Sequence, residues 1–303
     1  MNEIADVAIV GAGAAGLSAA VVLGRCRRSV VLFDAGRPRN HASQAVHCLL
    51  GHEGTAPSAL LAKGRSELER YTTVESGLDA VTAIARRNDS FVVACECGAA
   101  VSARKVLIAT GLTDDIPEID GIDRLYGRSV HHCPYCDGFE HRDKAIAVYG
   151  AGDKGAGLAL MMKQWSGDVM LFTGGSSDVS ADMRTRLQQQ GIEVRTEVVS
   201  RLEGEDGALR AIHLQAGDAV ERDAMFFATG CRQRSDLLTR LGCARDENGG
   251  IISDPVTEES SVRGVYVAGD ASREVLLVAV AIAEGAKAGV AINRALLKED
   301  GLG

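Results

Sequence analysis

A glycine-rich turn near the N-terminus constrains the fold of this chain more than any other feature. Residues 6–10 are mostly apolar, contain three β-branched residues and predict a short buried strand, and residues 17–25 predict a helix. A second predicted strand, residues 29–33, ends at Asp34. The turn between the first strand and the helix is Gly11-Ala12-Gly13-Ala14-Ala15-Gly16. Strand, glycine turn, helix and strand form the βαβ unit of a parallel, doubly wound sheet.

The same order of elements recurs in the middle of the chain. Residues 145–149 predict a strand, residues 156–165 a helix and residues 168–172 a further strand. The turn of this second unit contains Gly150, Gly152, Asp153 and Gly155. Two such units predict an α/β fold with two Rossmann-like, doubly wound, three-layer nucleotide-binding domains.

The remaining segments predict that the first domain is discontinuous. Residues 91–96 and 101–108 predict a hairpin, and residues 112–121 are polar and contain proline, as in a linker. The apolar residues 264–268 follow the second βαβ unit and lead into a long apolar helix, which we assign to the first domain. We therefore expect a first domain of residues 1–114 and 232–303, and a second domain of residues 115–231.

The first turn has the chemistry of a dinucleotide site. Its glycines permit a tight turn, close approach of a pyrophosphate, and packing of the helix on the strand. The helix N-terminus offers unpaired N–H donors to the pyrophosphate. Asp34 lies 23 residues after Gly11, near the offset at which a carboxylate binds ribose hydroxyls. The predicted cofactor-binding residues of this turn are Gly11, Gly13, Ala14, Ala15, Gly16 and Asp34.

The second turn lacks the residues that select a nicotinamide dinucleotide. The same offset from Gly150 falls on Thr173, where an NAD site carries an acidic residue and an NADP site carries arginine. The nearest cations, Arg184 and Arg186, come ten or more residues later. Two interpretations stay open. Either NADPH or NADH binds at Gly150, Gly152, Asp153, Gly155 and Thr173, or the domain is structural and binds neither well.

A pair of cysteines with redox spacing precedes the second unit. Cys133 and Cys136 are separated by two residues, and a CxxC beside a βαβ pattern is typical of thiol–disulfide exchange. Asp137 could transfer the proton that such chemistry moves. The alternatives are two buried thiols, or half of a zinc site that Cys95 and Cys97 would complete. We favour the redox interpretation and predict no metal site.

Three further side chains near this pair have open roles. His131 and His132 precede the cysteine pair. If they are charged, they would lower the pKa of a thiol, whereas at a solvated strand end they would have no chemical role. Cys48 is either a further redox thiol or an inert one.

Five motifs occur in one order along nearly the full length of the chain. They are Gly11-Ala12-Gly13-Ala14-Ala15-Gly16, Ala109-Thr110-Gly111, Cys133-Pro134-Tyr135-Cys136-Asp137-Gly138, Gly150-Ala151-Gly152-Asp153 and Val267-Ala268-Gly269-Asp270. Each motif is common, but together and at these spacings they are specific. The chain resembles the low-molecular-weight thioredoxin reductase family of flavoproteins.

The resemblance implies a cofactor, roles for the site residues and an oligomeric state. It implies FAD on the first domain, with Asp270 near the ribityl–pyrophosphate region. It also implies that Cys136 lies against the flavin, that Cys133 exchanges with substrate, and that Asp137 is the acid/base. Family members are homodimers. The cofactor-binding residues that it adds to the first turn are Thr110, Gly111, Gly269, Asp270, Val278 and Ala279.

Two departures from the family reductases favour its dithiol oxidase branch. The reductases carry a His-Arg-Arg run where this chain has Thr173-Gly174-Gly175, and they carry an Arg-Gln-Ala run where it has Leu277-Val278-Ala279. Against the oxidase, Asp137 is the reductase residue and the second glycine turn is intact.

We expect FAD-dependent oxidation of a dithiol, with oxygen or another acceptor reoxidising the flavin. The alternatives are an NAD(P)H-dependent thioredoxin-disulfide reductase and a redox-sensing flavoprotein without fast turnover. The partner in each case is a small-molecule or protein dithiol or disulfide, such as a thioredoxin-like protein.

Composition excludes several other classes of function. The net charge of −8 disfavours binding to nucleic acid or to an anionic membrane surface. The longest apolar run, residues 275–283, is far shorter than the ~20 residues of a membrane-spanning helix. The N-terminus shows no basic segment followed by an apolar one, so we expect a cytoplasmic protein. Eight cysteines are too few for a disulfide scaffold in 303 residues.

Overall fold

The computed structural model describes residues 4–176, 178–247, 249–272 and 275–303, apart from the side chain of Leu78. Residues 1–3, which belong to the N-terminal segment considered above, lie outside the described residues. The chain divides into two compact units. Unit 1 comprises the described residues of Met1–His41, Leu49–Thr113 and Arg232–Gly303, and unit 2 those of Ala42–Cys48 and Asp114–Cys231. Residues 42–48, which the sequence assigned to the first domain, are grouped with unit 2.

Unit 1 contains a mixed sheet in the strand order β3-β2-β1-β6-β5-β4, with β17 also paired to β6. The pairs β3-β2, β2-β1, β1-β6 and β6-β17 are parallel, and β6-β5-β4 is an antiparallel meander. The strands are β1 (Ala5–Val10), β2 (Val30–Asp34), β3 (Val74–Leu78), β4 (Val81–Arg87), β5 (Ser90–Cys95), β6 (Ala100–Ile108) and β17 (Val265–Val267).

Strand β6 changes neighbours along its length. Ala103 pairs with Phe91 of β5, whereas Val106, further along, pairs with Val265 of β17. The apolar segment late in the chain therefore completes the first sheet, which makes unit 1 discontinuous in sequence.

Apolar side chains cover both faces of this sheet. Val7 and Ile9 of β1 belong to one buried cluster, and Ala8 and Val10 to another, because successive side chains of a strand point to opposite faces. Full burial of one such side chain contributes about 1.5–3 kcal/mol. The helices of unit 1 are α1 (Ala14–Arg25), α2 (Pro57–Leu68), α7 (Leu237–Arg240) and α8 (Val278–Glu299), with a 3-10 turn at Arg39–Ala42.

Helices α1 and α8 pack backbone to backbone. A Cβ atom on Gly285 of α8 would lie 2.0 Å from the carbonyl oxygen of Ala15, so only glycine permits this approach. The contact holds the start of α8 beside the N-terminal turn of α1, where the sequence places a nucleotide.

Unit 2 has a parallel sheet in the order β11-β10-β9-β15-β8 and an antiparallel sheet β12-β13-β14. The parallel strands are β8 (Val130–His131), β9 (Ile146–Tyr149), β10 (Val169–Phe172), β11 (Glu193–Arg195) and β15 (Ala224–Phe227). The antiparallel strands are β12 (Val199–Glu205), β13 (Ala208–Leu214) and β14 (Ala219–Glu221). The helices are α3 (Ile122–Leu125), α4 (Pro134–Asp137), α5 (Gly152–Met162) and α6 (Ala181–Gln189), with a 3-10 turn at Phe139–His141.

Two short strands, β7 (Leu112–Asp114) and β16 (Cys231–Gln233), pair with each other where the chain passes between the units. The predicted α/β fold with two Rossmann-like units is confirmed. No described helix has both the length and the apolar character needed to cross a lipid bilayer.

Candidate redox and nucleotide-binding sites

Cys133 and Cys136 are joined by a disulfide bond at the start of helix α4 in unit 2. Cys133 is the N-cap residue, and its Sγ accepts a hydrogen bond from the Cys136 backbone N–H at 3.1 Å. Pro134 at the first helical position suits the helix start because its fixed φ is helical. An N–H aimed at this sulfur stabilises it as a thiolate. Because the two sulfurs are bonded to each other, they are not available as half of a zinc site.

Asp137 lies beside a pair of histidines. Its Oδ1 is 3.3 Å from Nδ1 of His131, a buried residue at the end of β8. The Nε2 atom of His131 is 2.9 Å from Nε2 of His141 and 3.1 Å from the Arg128 carbonyl oxygen. When Nδ1–H of His131 donates to Asp137, its Nε2 accepts from His141. The solvated strand-end role is therefore wrong for His131, which connects a carboxylate to a second imidazole.

His141 is neutral near pH 7. Burial, followed by the charge of His131, lowers the pKa of His141 to about 4. Its Nδ1 is buried and has no hydrogen-bond partner among the described residues. A neutral imidazole has one N–H donor. In His141 that donor is the Nε2–H, which faces Nε2 of His131.

His132 belongs to a different set of contacts. Its Nδ1 is 3.2 Å from the Tyr126 hydroxyl, and its Nε2 is 3.8 Å from Oδ2 of Asp114. Although adjacent in sequence to Cys133, it is held by residues at the start of unit 2.

Exposed aromatic side chains lie close to the disulfide in sequence. Tyr135 and Phe139 are each 61% exposed, far more than is usual for large apolar groups. Tyr135 contacts Trp165 edge to face, with the ring centroids 6.0 Å apart. The thiol of Cys48 donates to the Tyr135 carbonyl oxygen at 3.4 Å, and Cys48 has a left-handed backbone with φ of 60°. The segment 42–48 thus places a third sulfur next to the redox loop of unit 2.

The first glycine turn combines close packing with an open space. A Cβ on Gly11 would lie 2.3 Å from the Ala109 carbonyl oxygen, and one on Gly16 would lie 1.8 Å from the Gly11 carbonyl oxygen. A Cβ on Gly13 would meet no described heavy atom within 4 Å. Gly13 is the N-cap of α1, and no described side chain caps the first N–H groups of that helix. The turn therefore presents free N–H donors to an open cradle, as a pyrophosphate requires.

Two polar groups border this cradle. Asp34, at the end of β2, accepts hydrogen bonds from the Gly36 N–H at 3.1 Å and from Arg65 at 2.7 Å. The hydroxyl of Thr110 is buried with no partner in the described part of the chain, and its backbone nitrogen adjoins Gly11. Buried polar atoms are normally satisfied, so a ligand is the expected partner of Thr110. Gly111, with φ of 66°, has open space where a side chain would stand.

The third element of this site comes from the end of the chain. Gly269 donates its N–H to the buried carboxylate of Glu284 at 2.8 Å, and a Cβ on Gly269 would lie 3.1 Å from the Ala15 side chain. Asp270 accepts from Arg39 at 2.9 Å. Val278 and Ala279 are the first two residues of α8. Sequence analysis missed Arg65 and Glu284, although Glu284 is the one carboxylate in the mostly apolar residues 278–289 of α8.

The second glycine turn has the same close packing, but a carboxylate of the chain lies beside it. A Cβ on Gly155 would lie 2.1 Å from the Gly150 carbonyl oxygen, as in the first turn. Here, however, the Asp178 carboxylate lies beside the turn, with its Oδ2 3.4 Å from the position of a Cβ on Gly152. The Ser176 hydroxyl, followed by backbone N–H groups, lowers the pKa of Asp178, which is therefore ionised. A negative charge of the chain itself therefore lies beside the second glycine turn.

Other groups at this turn are also engaged by the chain. The carboxylate of Asp153 accepts from the Ser180 N–H at 2.8 Å. Thr173 is buried, and its hydroxyl donates to the Ser176 carbonyl oxygen. Arg184 donates to the Val179 carbonyl oxygen at 2.9 Å.

The lowered pKa of His141 predicts a specific pH dependence of stability. Since its folded pKa lies below the unfolded value, the unfolded state takes up a proton first, and stability is lost as pH falls from about 6.5 towards 4. The free energy of unfolding falls by up to about 3 kcal/mol over this range. Urea unfolding of wild type and His141→Gln across this range measures it. The variant should show a shallower decline, whereas the exposed control His41→Gln should follow wild type. Equal declines in wild type and His141→Gln would contradict the assignment.

Known proteins match almost the whole chain. The family described as pyridine nucleotide-disulphide oxidoreductase matches residues 5–285. Thioredoxin reductase tcpT of Claviceps purpurea is 31% identical over 98% of this chain and 96% of its own length. Thioredoxin reductase sirT of Leptosphaeria maculans is 29% identical over 98% of this chain and 96% of its own length.

Solved structures share the fold. The crystal structure of HlmI has a TM-score of 0.94 and 38% identity, covering 99% of this chain and 95% of that one. An oxidoreductase from Agrobacterium tumefaciens has a TM-score of 0.90 and 34% identity, covering 98% and 99%. The resemblance to thioredoxin reductase-like flavoproteins is thus confirmed. The chain is an oxidoreductase and belongs to the pyridine nucleotide-disulphide oxidoreductase family.

Proposed function

We propose that this flavoprotein oxidises a dithiol substrate to a disulfide through Cys133 and Cys136, with oxygen or another acceptor taking the electrons from FAD. The observation that carries the direction is the Asp178 carboxylate beside the second glycine turn, 3.4 Å from the position of a Cβ on Gly152. A reductase must bind NADPH or NADH at this turn, and a negative charge beside it repels a pyrophosphate.

The residues of the first turn fit FAD. The open space at Gly13, the uncapped start of α1 and the unpartnered Thr110 hydroxyl together form a cradle for a pyrophosphate. Asp34 would bind ribose hydroxyls, and Asp270 would lie near the ribityl chain. Gly11, Ala14, Ala15, Gly16, Gly111, Gly269, Val278 and Ala279 complete the proposed set. Bound FAD supplies two-electron oxidation of the reduced cysteine pair.

Disulfide exchange at Cys133 accounts for the transfer of electrons from substrate to protein. A substrate thiolate attacks Cys133 Sγ, forms a mixed disulfide and releases Cys136 as a thiolate. The second substrate thiolate then attacks the substrate sulfur of the mixed disulfide, which forms the product disulfide and releases Cys133 as a thiolate. The Cys136 N–H, 3.1 Å from this sulfur, stabilises the departing thiolate.

Asp137 serves as the acid/base for these thiols. His131 orients its carboxylate from 3.3 Å, and His141 fixes the tautomer of His131 from the other side. The three groups can hold and pass on the proton that each thiol loses.

A second candidate function is NAD(P)H-dependent reduction of a thioredoxin-like disulfide. It is supported by the packing of Gly150 and Gly155, which preserves the glycine turn, and by the names of the relatives. It requires the Asp178 side chain to move away from Gly152 when the nucleotide binds. The homodimer and the cytoplasmic location expected from sequence remain predictions.

Replacement of the cysteines tests the proposed reaction. Oxygen consumption with a small dithiol should fall at least ~100-fold in Cys136→Ser and in Cys133→Ser, since neither variant can form the internal disulfide. A decrease of ~100-fold corresponds to an increase of about 2.7 kcal/mol in the activation barrier. The control Cys26→Ser removes an exposed free thiol and should retain activity. Turnover that survives in Cys136→Ser would contradict the mechanism. Disulfide-dependent NADPH consumption by wild type, without dithiol oxidation, would favour the reductase.

The open space at Gly13 gives a direct test of the flavin site. Gly13→Val should fold, because a Cβ at this position meets no described heavy atom within 4 Å, but it should be purified without flavin because the side chain fills the cradle. Its unfolding free energy should lie within about 1 kcal/mol of wild-type apoprotein. Gly77→Val, in β3 and also without a neighbour within 4 Å, is the matched control and should keep its flavin. A full complement of FAD in Gly13→Val would refute the site.

A further inference from the structure

Two tight turns of unit 1 bring three metal-binding side chains together. Asp79 lies between β3 and β4, Cys95 ends β5, and Cys97 lies in the turn before β6. Their carboxylate oxygen and two sulfur atoms all lie within 4.8 Å of one another. Pairing of Val81 with Cys95 and a 2.8 Å hydrogen bond from the Glu96 N–H to the Ala80 carbonyl oxygen hold the turns side by side.

The three donor atoms lie close to one another although they come from two separate turns. Two thiolates and a carboxylate are all anions, so a cation bound among them would neutralise their mutual repulsion.

The donor set fits zinc better than a hard cation. Calcium and magnesium take oxygen ligands, whereas zinc binds both thiolates and carboxylates and accepts three protein ligands with water as the fourth. Bond lengths of about 2.3 Å to sulfur and 2.0 Å to oxygen place zinc ligands roughly 3.5–4 Å apart. The present 4.8 Å limit thus requires only small side-chain rotations. Cys97 is exposed and Cys95 is buried, which gives an ion an entrance on one side and a closed wall on the other.

We propose that Asp79, Cys95 and Cys97 form a binding site for zinc(II) in unit 1. The site is separate from the redox disulfide, whose sulfurs are bonded to each other. Bound zinc ties the turn that precedes β4 to the turn that follows β5, so that it stabilises the antiparallel half of the sheet. The sequence showed the Cys95-Glu96-Cys97 spacing but not the third donor, because Asp79 is brought to it by strand pairing.

Metal titration of the flavin-loaded, tag-free enzyme tests the site. The Cys133–Cys136 disulfide is kept oxidised, and mass spectrometry establishes that Cys95 and Cys97 are thiols. We expect calorimetry to detect one zinc ion per chain, and cobalt(II) to give tetrahedral absorption bands at wavelengths beyond those of the flavin. Zinc should raise the unfolding temperature, since a ligand that binds only the folded state stabilises it.

Variants separate this site from other ligands. Affinity for zinc should fall at least ~10-fold in Cys97→Ser and in Asp79→Asn. Both positions lie on turns outside the core, so both variants should fold, and each checks the result of the other. The exposed cysteine control Cys26→Ser should bind zinc as wild type does. Three results would overturn the proposal: zinc affinity unchanged in Cys97→Ser, no zinc-dependent rise in the unfolding temperature of wild type, or a Cys95–Cys97 disulfide in the purified protein.

Discussion

Backbone-to-backbone contact at the two glycine-rich turns is the constraint on which the rest of this structure depends. At each turn the helix starts so close to the preceding strand that a single Cβ would collide with a carbonyl oxygen, at Gly16 in unit 1 and at Gly155 in unit 2. This contact aims the first N–H groups of each helix at the carboxyl edge of its sheet. At each of these edges, a helix N-terminus is therefore available to an anion.

The same packing leads to opposite electrostatics in the two units. The space over Gly13 is open and bordered by a hydroxyl that has no partner among the described residues, whereas the carboxylate of Asp178 lies beside Gly152. A helix N-terminus with a carboxylate of the chain beside it attracts a phosphate less than one without. In the proposed function, this contrast accounts for a flavin site without a nicotinamide site, and it links the fold to the proposed direction of electron flow.

Sequence was informative wherever the chemistry is local. The spacing of the glycines, the position of Asp34 and the CxxC each follow from contacts within one βαβ unit or one helical turn, so a pattern predicts them. The role of His131 stayed open because burial decides it, and burial depends on β8 joining the second sheet. Asp178, Glu284 and the assignment of residues 42–48 to unit 2 were not predictable, since each depends on segments brought together by tertiary packing.

Anaerobic titration of the oxidised enzyme, followed by the visible absorbance of the flavin, tests the central claim most directly. If Asp178 keeps pyrophosphates from the second turn, NADPH and NADH should leave the absorbance unchanged. A dithiol should bleach it near stoichiometry, and admitting air should restore it. Rapid bleaching by stoichiometric NADPH would show instead that the second turn binds the nucleotide, and the account of this protein as a dithiol oxidase would fail.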